Sequence, residues 1–295
     1  MLGTGLFTSN YLLAKTAAQL WFRIRERGKQ PILVYQMGKV GSSSVVQTLE
    51  AAQLQSPIHH IHTLTTRGIR ETEKHYYGQR PRFTAPSQWP NTKHLFASHY
   101  LFDQLRQGRS PKQPWKIISL VRDPVARNIS DFFENIEILI PDYYARRRRN
   151  EVAIAELSKY FLTQYSDHNV PLSWLDIELH AVFGIDVYAT KFPKEQGYQI
   201  YKGDEVEVLV LRLESLYKCL TPALYEFMGL PDVKPINANQ SENKEYYNAY
   251  HEFQAQTSIP TAYLNKMYES RYTQHFYTAH EIANLRTRWG NGMPQ

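Results

Sequence analysis

The chain of 295 residues contains one cysteine, Cys219. It cannot form an intrachain disulfide, and one thiol cannot build a zinc site, so a reducing compartment is the expectation. A long unbroken apolar run is also missing. Leu6 to Phe22 is fairly apolar, but Asn10, Lys15 and Gln19 interrupt it, which argues against a membrane-spanning helix. Arg23, Arg25, Arg27 and Lys29 follow that stretch, whereas a secretory signal carries its charges ahead of the apolar part. The expectation is an amphipathic helix over residues 1–30, packed on the remainder of the chain or touching a membrane surface, in a cytoplasmic protein. No arginine-rich tail or nucleic-acid motif stands out, so nucleic acid is not implied as a partner; no internal repeat or low-complexity tract occurs.

One further absence bears on chemistry. A Walker A loop needs a glycine five residues before its Gly-Lys pair, and Leu33 stands there. Hydrolysis of a nucleoside triphosphate is therefore disfavoured, but anion binding is not. Residues 32–44 read Ile-Leu-Val-Tyr-Gln-Met-Gly-Lys-Val-Gly-Ser-Ser-Ser, an apolar run entering a loop of glycine, lysine and hydroxyls. A helical stretch, Val45 to Ala52, follows. Small residues let backbone N–H groups approach an oxyanion, and the helix start adds its dipole. Gly38, Lys39, Val40, Gly41, Ser42, Ser43 and Ser44 are the candidate anion cradle, and Lys39 carries its full charge. An ordinary strand-to-helix turn with serine caps would also fit the loop taken alone.

The composition supports a globular chain: 42% of residues are hydrophobic. Lysine and arginine exceed the acidic residues by 34 − 28 = 6, a modest bias toward anionic partners. Four runs read as strands: Pro31–Gln36, His94–His99, Lys116–Val121 and Glu205–Leu213. Strands alternating with helices predict an α/β fold, a three-layer sandwich on a central parallel sheet, with residues 31–295 as one domain whose C-terminal part is helical. In such sheets ligands bind beyond the carboxyl ends of the strands. Lys39, His99 and Arg122 fall at or just past three of those ends. Arg67 to Thr92 reads as a long connection, and Ile138 to Gln164 as helix carrying Arg146 to Arg149. Those four arginines read as a solvated face or as a patch for a polyanion. Tyr263, Met267 and Tyr268 read as core.

Ile117 to Pro124 forms the second informative segment. A buried-type strand ends in Arg122, Asp123 is a plausible N-cap, and Pro124 suits the first helical position. Ser130 lies two turns into that helix. An arginine fork with a hydroxyl suits a terminal phosphate, although an ion pair between Arg122 and a carboxylate would also account for the residue.

With these segments in view, the chain resembles the sulfotransferases. Lys39-Val40-Gly41-Ser42-Ser43-Ser44 is similar to their 5′-phosphosulfate loop, in the Pro-Lys-x-Gly-Ser-Thr-Ser form of the glycan 2-O-sulfotransferase type, although Met37-Gly38 departs from it before the lysine. Arg122 with Ser130 eight residues later resembles their 3′-phosphate site. His94 to His99 resembles the segment whose terminal histidine is catalytic in that branch. Gly184 to Tyr188 and Leu211 to Glu214 are similar to bacterial capsular polysaccharide synthesis and sulfotransferase-like proteins. The resemblance implies a P-loop-NTPase-like sulfotransferase fold and 3′-phosphoadenosine 5′-phosphosulfate as donor. It also implies a saccharide, polysaccharide or glycolipid acceptor, no metal, Lys39 on the leaving oxygen, and His99 as general base with His94 in reserve. Lys244 and Arg212 are further candidates, each with a structural reading beside it: a helix N-cap at Ser241 for the first segment, an ion pair with Glu214 or Asp186 for the second. The rivals are a P-loop-like kinase and a non-catalytic glycan assembly protein.

Overall fold

The computed structural model describes residues 3–77, 93–107, 113–238 and 244–290. Helix α1, Gly3–Arg25, precedes strand β1, Ile32–Tyr35, and helix α2, Ser42–Ala51. Strand β2, Ile58–Ile61, leads to helices α3, Thr66–Tyr77, and α4, Lys93–Arg106, then to β3, Trp115–Val121, and α5, Pro124–Glu134. After a helical segment come β4, Tyr198–Lys202, and β5, Val206–Arg212, and further helices extend to Gly290. The fold is mixed α/β: a five-stranded sheet in the order β2-β1-β3-β5-β4, flanked by helices.

Strand β1 is buried at all four positions, as is β3 from Ile117 to Val121. Such continuous apolar strands belong in the middle of a parallel sheet, covered on both faces. β1 pairs in parallel with β2 on one side and β3 on the other, and β3 pairs in parallel with β5. Only three residues separate β4 from β5, too few for a crossover, and that pair is antiparallel, with Lys202 opposite Glu207. The sheet is therefore mostly parallel, a correction to the all-parallel expectation.

Three expectations about elements fail. His94–His99 is not a strand but the first half of α4, in which Leu95 to Leu101 are all buried. A short apolar run cannot separate a buried helix from a buried strand by periodicity, and here the pattern runs on to Arg106 without a breaker. The supposed long connection begins as α3, and residues 78–92 lie outside the described residues. The helix expected over Ile138 to Gln164 is broken into Ile136–Leu139, Tyr143–Arg148 and Ile154–Thr163.

The connection after β1 runs to β2, while the chain from β2 passes to β3 on the other flank of β1. The strand order reverses between β1 and β3, and in open α/β sheets ligands bind beyond the carboxyl ends of the strands at such a point. This is where the fold places the Gly38–Ser44 loop and Arg122.

Candidate functional site

The loop between β1 and α2 has an unusual backbone. Gly38, Lys39 and Gly41 have φ of 77°, 62° and 80°. Left-handed geometry is open to glycine but costly for lysine, which is held there by its surroundings. Arg122 Nη1 donates to the Lys39 carbonyl at 2.8 Å. Buried Arg127 donates to the Met37 carbonyl at 3.2 Å and to that of Gly38 at 3.4 Å. Two arginines thus pull the carbonyls of residues 37–39 to one side. Among the described residues no protein acceptor meets the N–H groups of Lys39, Val40, Gly41, Ser42 or Ser43. Consecutive unpartnered N–H groups running into a helix start are what an oxyanion requires.

The glycine at 41 has a steric reason as well. A Cβ there would lie 2.3 Å from Leu213 Cδ1, just past the end of β5. The three serines divide their work. The Ser42 hydroxyl meets Gln36 Nε2 and His60 Nε2, both at 2.8 Å. Ser44 Oγ accepts from the Ala238 N–H at 3.1 Å, so its side chain faces the C-terminal chain. Ser43 is exposed.

Arg122 leaves β3 with Tyr272 clasping its backbone: the Tyr272 hydroxyl accepts from Arg122 N–H at 2.9 Å and donates to its carbonyl at 2.8 Å. Among the described residues no carboxylate forms an ion pair with the Arg122 guanidinium; the arginine on this side that does, Arg127, pairs with Asp131 at 3.6 Å. Asp123 caps α5 as its sequence suggests, accepting from Val125 and Ala126 N–H. It also accepts from Tyr268 Oη at 2.9 Å and Trp289 Nε1 at 2.8 Å. Burial pushes its carboxyl pKa up in spite of these donors. Ser130 is half-buried in α5. Arg127, Ser130 and Glu134 follow at i, i+3 and i+7, one face of the helix, and the first and last of them touch the loop.

Lys39 Nζ reaches Glu134 Oε2 at 3.0 Å, while Lys244 Nζ is 3.1 Å from Glu134 Oε1 and the Tyr246 hydroxyl is 2.6 Å from Oε2. Lys244 therefore does come to the loop, through a shared carboxylate; the N-cap expected at Ser241 falls outside the described residues.

His99 does not reach a strand end. Its Nε2 lies 2.8 Å from Glu73 Oε1 and 3.2 Å from the Tyr11 hydroxyl, in the seam where α1 and α3 meet α4, and burial lowers its pKa. The histidines beside the loop are others. His60 and His62, two residues apart at the end of β2, share one face of the chain. His62 Nδ1 lies 3.0 Å from the Gln36 carbonyl and 3.1 Å from Gln36 Nε2; in the tautomer that donates to the carbonyl, Nε2 is the acceptor of the neutral ring. The His94 ring stands 5.3 Å from that of His62, and the His60 ring 5.0 Å. Burial with the neighbouring histidines lowers the His60 pKa to about 3, and burial lowers that of His62 too. Trp174 Nε1 donates to the His62 carbonyl at 3.0 Å, and buried Glu178 accepts from Leu64 and Thr65 N–H and from Tyr35 Oη. These two come from a helix that widens into a π-turn over Leu175–His180. The signal for His60 and His62 was their period-two spacing, hidden because histidines masked Ile58–Ile61 as a strand.

The remaining candidates have structural partners. Buried Arg212 pairs at 2.6 Å with half-buried Glu281, and not with Glu214 or Asp186. Arg146, Arg147, Arg148 and Arg149 pair with Glu156, Glu252, Glu245 and Glu151, the solvated-face reading. Met267 and Tyr268 are fully buried core, and Tyr263 is half-buried and packed against it.

A family model described as "Putative capsular polysaccharide synthesis protein" (NKWYS) matches residues 152–278. No curated protein and no solved structure matches the chain. The matched segment is similar to a capsule-related family. It includes Trp174, Glu178, Leu213, Tyr268 and Tyr272, which contact residues at the ends of β1, β2 and β3.

Proposed function

We propose that the protein is a sulfotransferase of polysaccharide capsule synthesis. In this reading it moves the sulfuryl group of 3′-phosphoadenosine 5′-phosphosulfate to a hydroxyl of a saccharide, polysaccharide or glycolipid. The observation that supports the reading is the nearness of two cationic positions: Lys39 with a loop in which, among the described residues, five N–H groups have no protein acceptor, and Arg122, which touches that loop and has no carboxylate partner among the described residues. They match the two anionic ends of one adenosine donor. The capsule-related family match supports the setting.

In the transfer, the acceptor oxygen bonds to sulfur as the bridging S–O bond to the 5′-phosphate breaks. By analogy with phosphoryl transfer, charge builds on the leaving oxygen. Lys39 and the loop N–H groups stabilise that charge as it develops. Arg122 and Ser130 hold the 3′-phosphate. His62 Nε2 takes the acceptor proton, its other nitrogen fixed by the Gln36 carbonyl. This role replaces His99, whose ring is engaged by Glu73 and Tyr11.

The test is thermal shift with two nucleotides. 3′-Phosphoadenosine 5′-phosphate should raise the melting temperature by linkage, and AMP far less. Arg122→Ala should abolish the difference. Equal shifts from both nucleotides would remove Arg122 and Ser130 as readers of the 3′-phosphate. Transfer of labelled sulfate in the presence of a chelator separates this chemistry from that of a magnesium-dependent kinase.

A further inference from the structure

Helix α1 is apolar on two sides. Its inward side holds it to the domain: Phe22 stacks on Tyr100 with ring centroids 5.1 Å apart, and Gln19 Nε2 donates to Asp103 Oδ2 at 2.9 Å. The ion pairs of this segment, Lys15 with Glu73 and Glu26 with His59, also lie inward. Its outward side carries Leu12, Leu13, Leu20, Trp21 and Ile24, with Leu13 68% and Ile24 69% exposed. Among the described residues, these make up most of the large apolar side chains left in solvent. Leu13, Leu20 and Ile24 recur at i, i+7 and i+11, one stripe down the helix. A contiguous exposed stripe on a helix already fixed by its other face marks an interaction surface.

The charges around the stripe are of one sign. The helix contains no aspartate or glutamate. Arg23, Arg25, Arg27 and Lys29 are all exposed at its C-terminal end, with Arg25 4.8 Å over the Trp21 ring. A second copy docking here would bring two all-basic surfaces together, which like-charge repulsion opposes. An anionic bilayer surface satisfies both features: leucine and isoleucine enter the acyl boundary, tryptophan sits at headgroup level, and the basic cluster meets anionic headgroups. No helix among the described residues is long and apolar enough to cross a membrane, so the contact is along the surface.

We propose that the outward face of α1 docks the protein on anionic lipid bilayers. The proposal needs no sulfuryl chemistry and stands or falls separately from it. The experiment is vesicle flotation with the full chain, comparing phosphatidylcholine alone with phosphatidylcholine mixed with phosphatidylglycerol. The wild-type protein should float with the mixed vesicles and not with the neutral ones, and added salt should weaken binding. A Leu20→Glu, Ile24→Glu double variant alters only exposed positions and should keep the parental melting curve. It should lose binding by about tenfold or more. Arg23→Gln with Arg27→Gln should weaken it less and flatten the salt dependence. Absence of flotation, equal flotation on both vesicle types, or undiminished binding by the glutamate variant would overturn the proposal. So would light scattering that shows a dimer abolished by the same variant, because a second copy would then own the face.

Discussion

Lys39 Nζ lies 3.0 Å from Glu134 Oε2, and Lys244 Nζ lies 3.1 Å from the second oxygen of the same carboxylate. A protein carboxylate therefore sits on the cation to which the cradle would bring an anion. Burial alone would raise the Glu134 pKa, but Lys39, the Tyr246 hydroxyl and Lys244 outweigh it and hold it down at about 2. The group is ionised throughout the neutral range and competes with any oxyanion for Lys39.

The first prediction concerns that competition. Glu134→Gln keeps the shape and removes the charge, so 3′-phosphoadenosine 5′-phosphate should bind more tightly, by about threefold to tenfold. Titration calorimetry at two salt concentrations checks it, and the gain should shrink at the higher one. Weaker binding would mean that Glu134 orients Lys39 for the ligand instead of opposing it.

The second prediction separates the histidines. His62→Ala should lower kcat by about a hundredfold with product-nucleotide affinity unchanged, a loss in the range of general-base removal. His62→Gln can still donate to the Gln36 carbonyl, so it should be equally slow; a rescue would make His62 a positioning residue. His99→Ala should instead lower the melting temperature and leave kcat/KM within about threefold, because it opens the seam between α1, α3 and α4.

These contrasts show what was legible in the sequence. The glycine turn after β1 and the Asp123 cap with Pro124 at the start of α5 were readable because glycine, proline and an N-cap are local signals, set by backbone sterics within a few residues. β1, β3 and β5 were readable as apolar runs with breakers nearby. His94–His99 was not, since a seven-residue buried run carries no period that distinguishes helix from strand. β2 escaped because two of its four residues are histidines, and with it went His60 and His62. The partners of Lys39 and Arg212 are separated from them in the chain by 95 and 69 residues. Nothing local points to Glu134 or Glu281, and only the packed fold brings them in.

The third prediction follows from the lowered histidine pKa values. His60 is held neutral down to about pH 3 in the fold but takes a proton near 6.5 when unfolded. Between those values the unfolded state binds more protons, so stability should fall as pH drops from 6.5 toward 3. His62 shifts in the same direction. Each such group contributes a slope of up to about 1.4 kcal/mol per pH unit. Glu134 acts in a lower window, its contribution being lost as pH falls from 4.5 through about 2. Denaturant midpoints from pH 7 to 4 test this, and His60→Gln should flatten the curve above pH 4.5. An unchanged slope would mean that the fold does not hold His60 neutral.

The fourth prediction uses the close approach at Gly41. A methyl group there meets Leu213 Cδ1 at 2.3 Å and also forces a left-handed φ of 80° on a residue with a side chain. The backbone cost alone is about 1–2 kcal/mol. Gly41→Ala should therefore destabilise the fold and weaken product-nucleotide binding together, because Val40 to Ser43 N–H groups would swing out of alignment. Leu213→Ala removes the colliding carbon without touching the backbone angle. The double variant should regain part of the nucleotide affinity lost by Gly41→Ala, leaving a residue of about the backbone cost. Full recovery would show that the collision was the whole effect. No recovery would show that the left-handed angle alone governs the cradle. A cycle of the two single variants and the double, read by calorimetry and melting temperature, separates the terms.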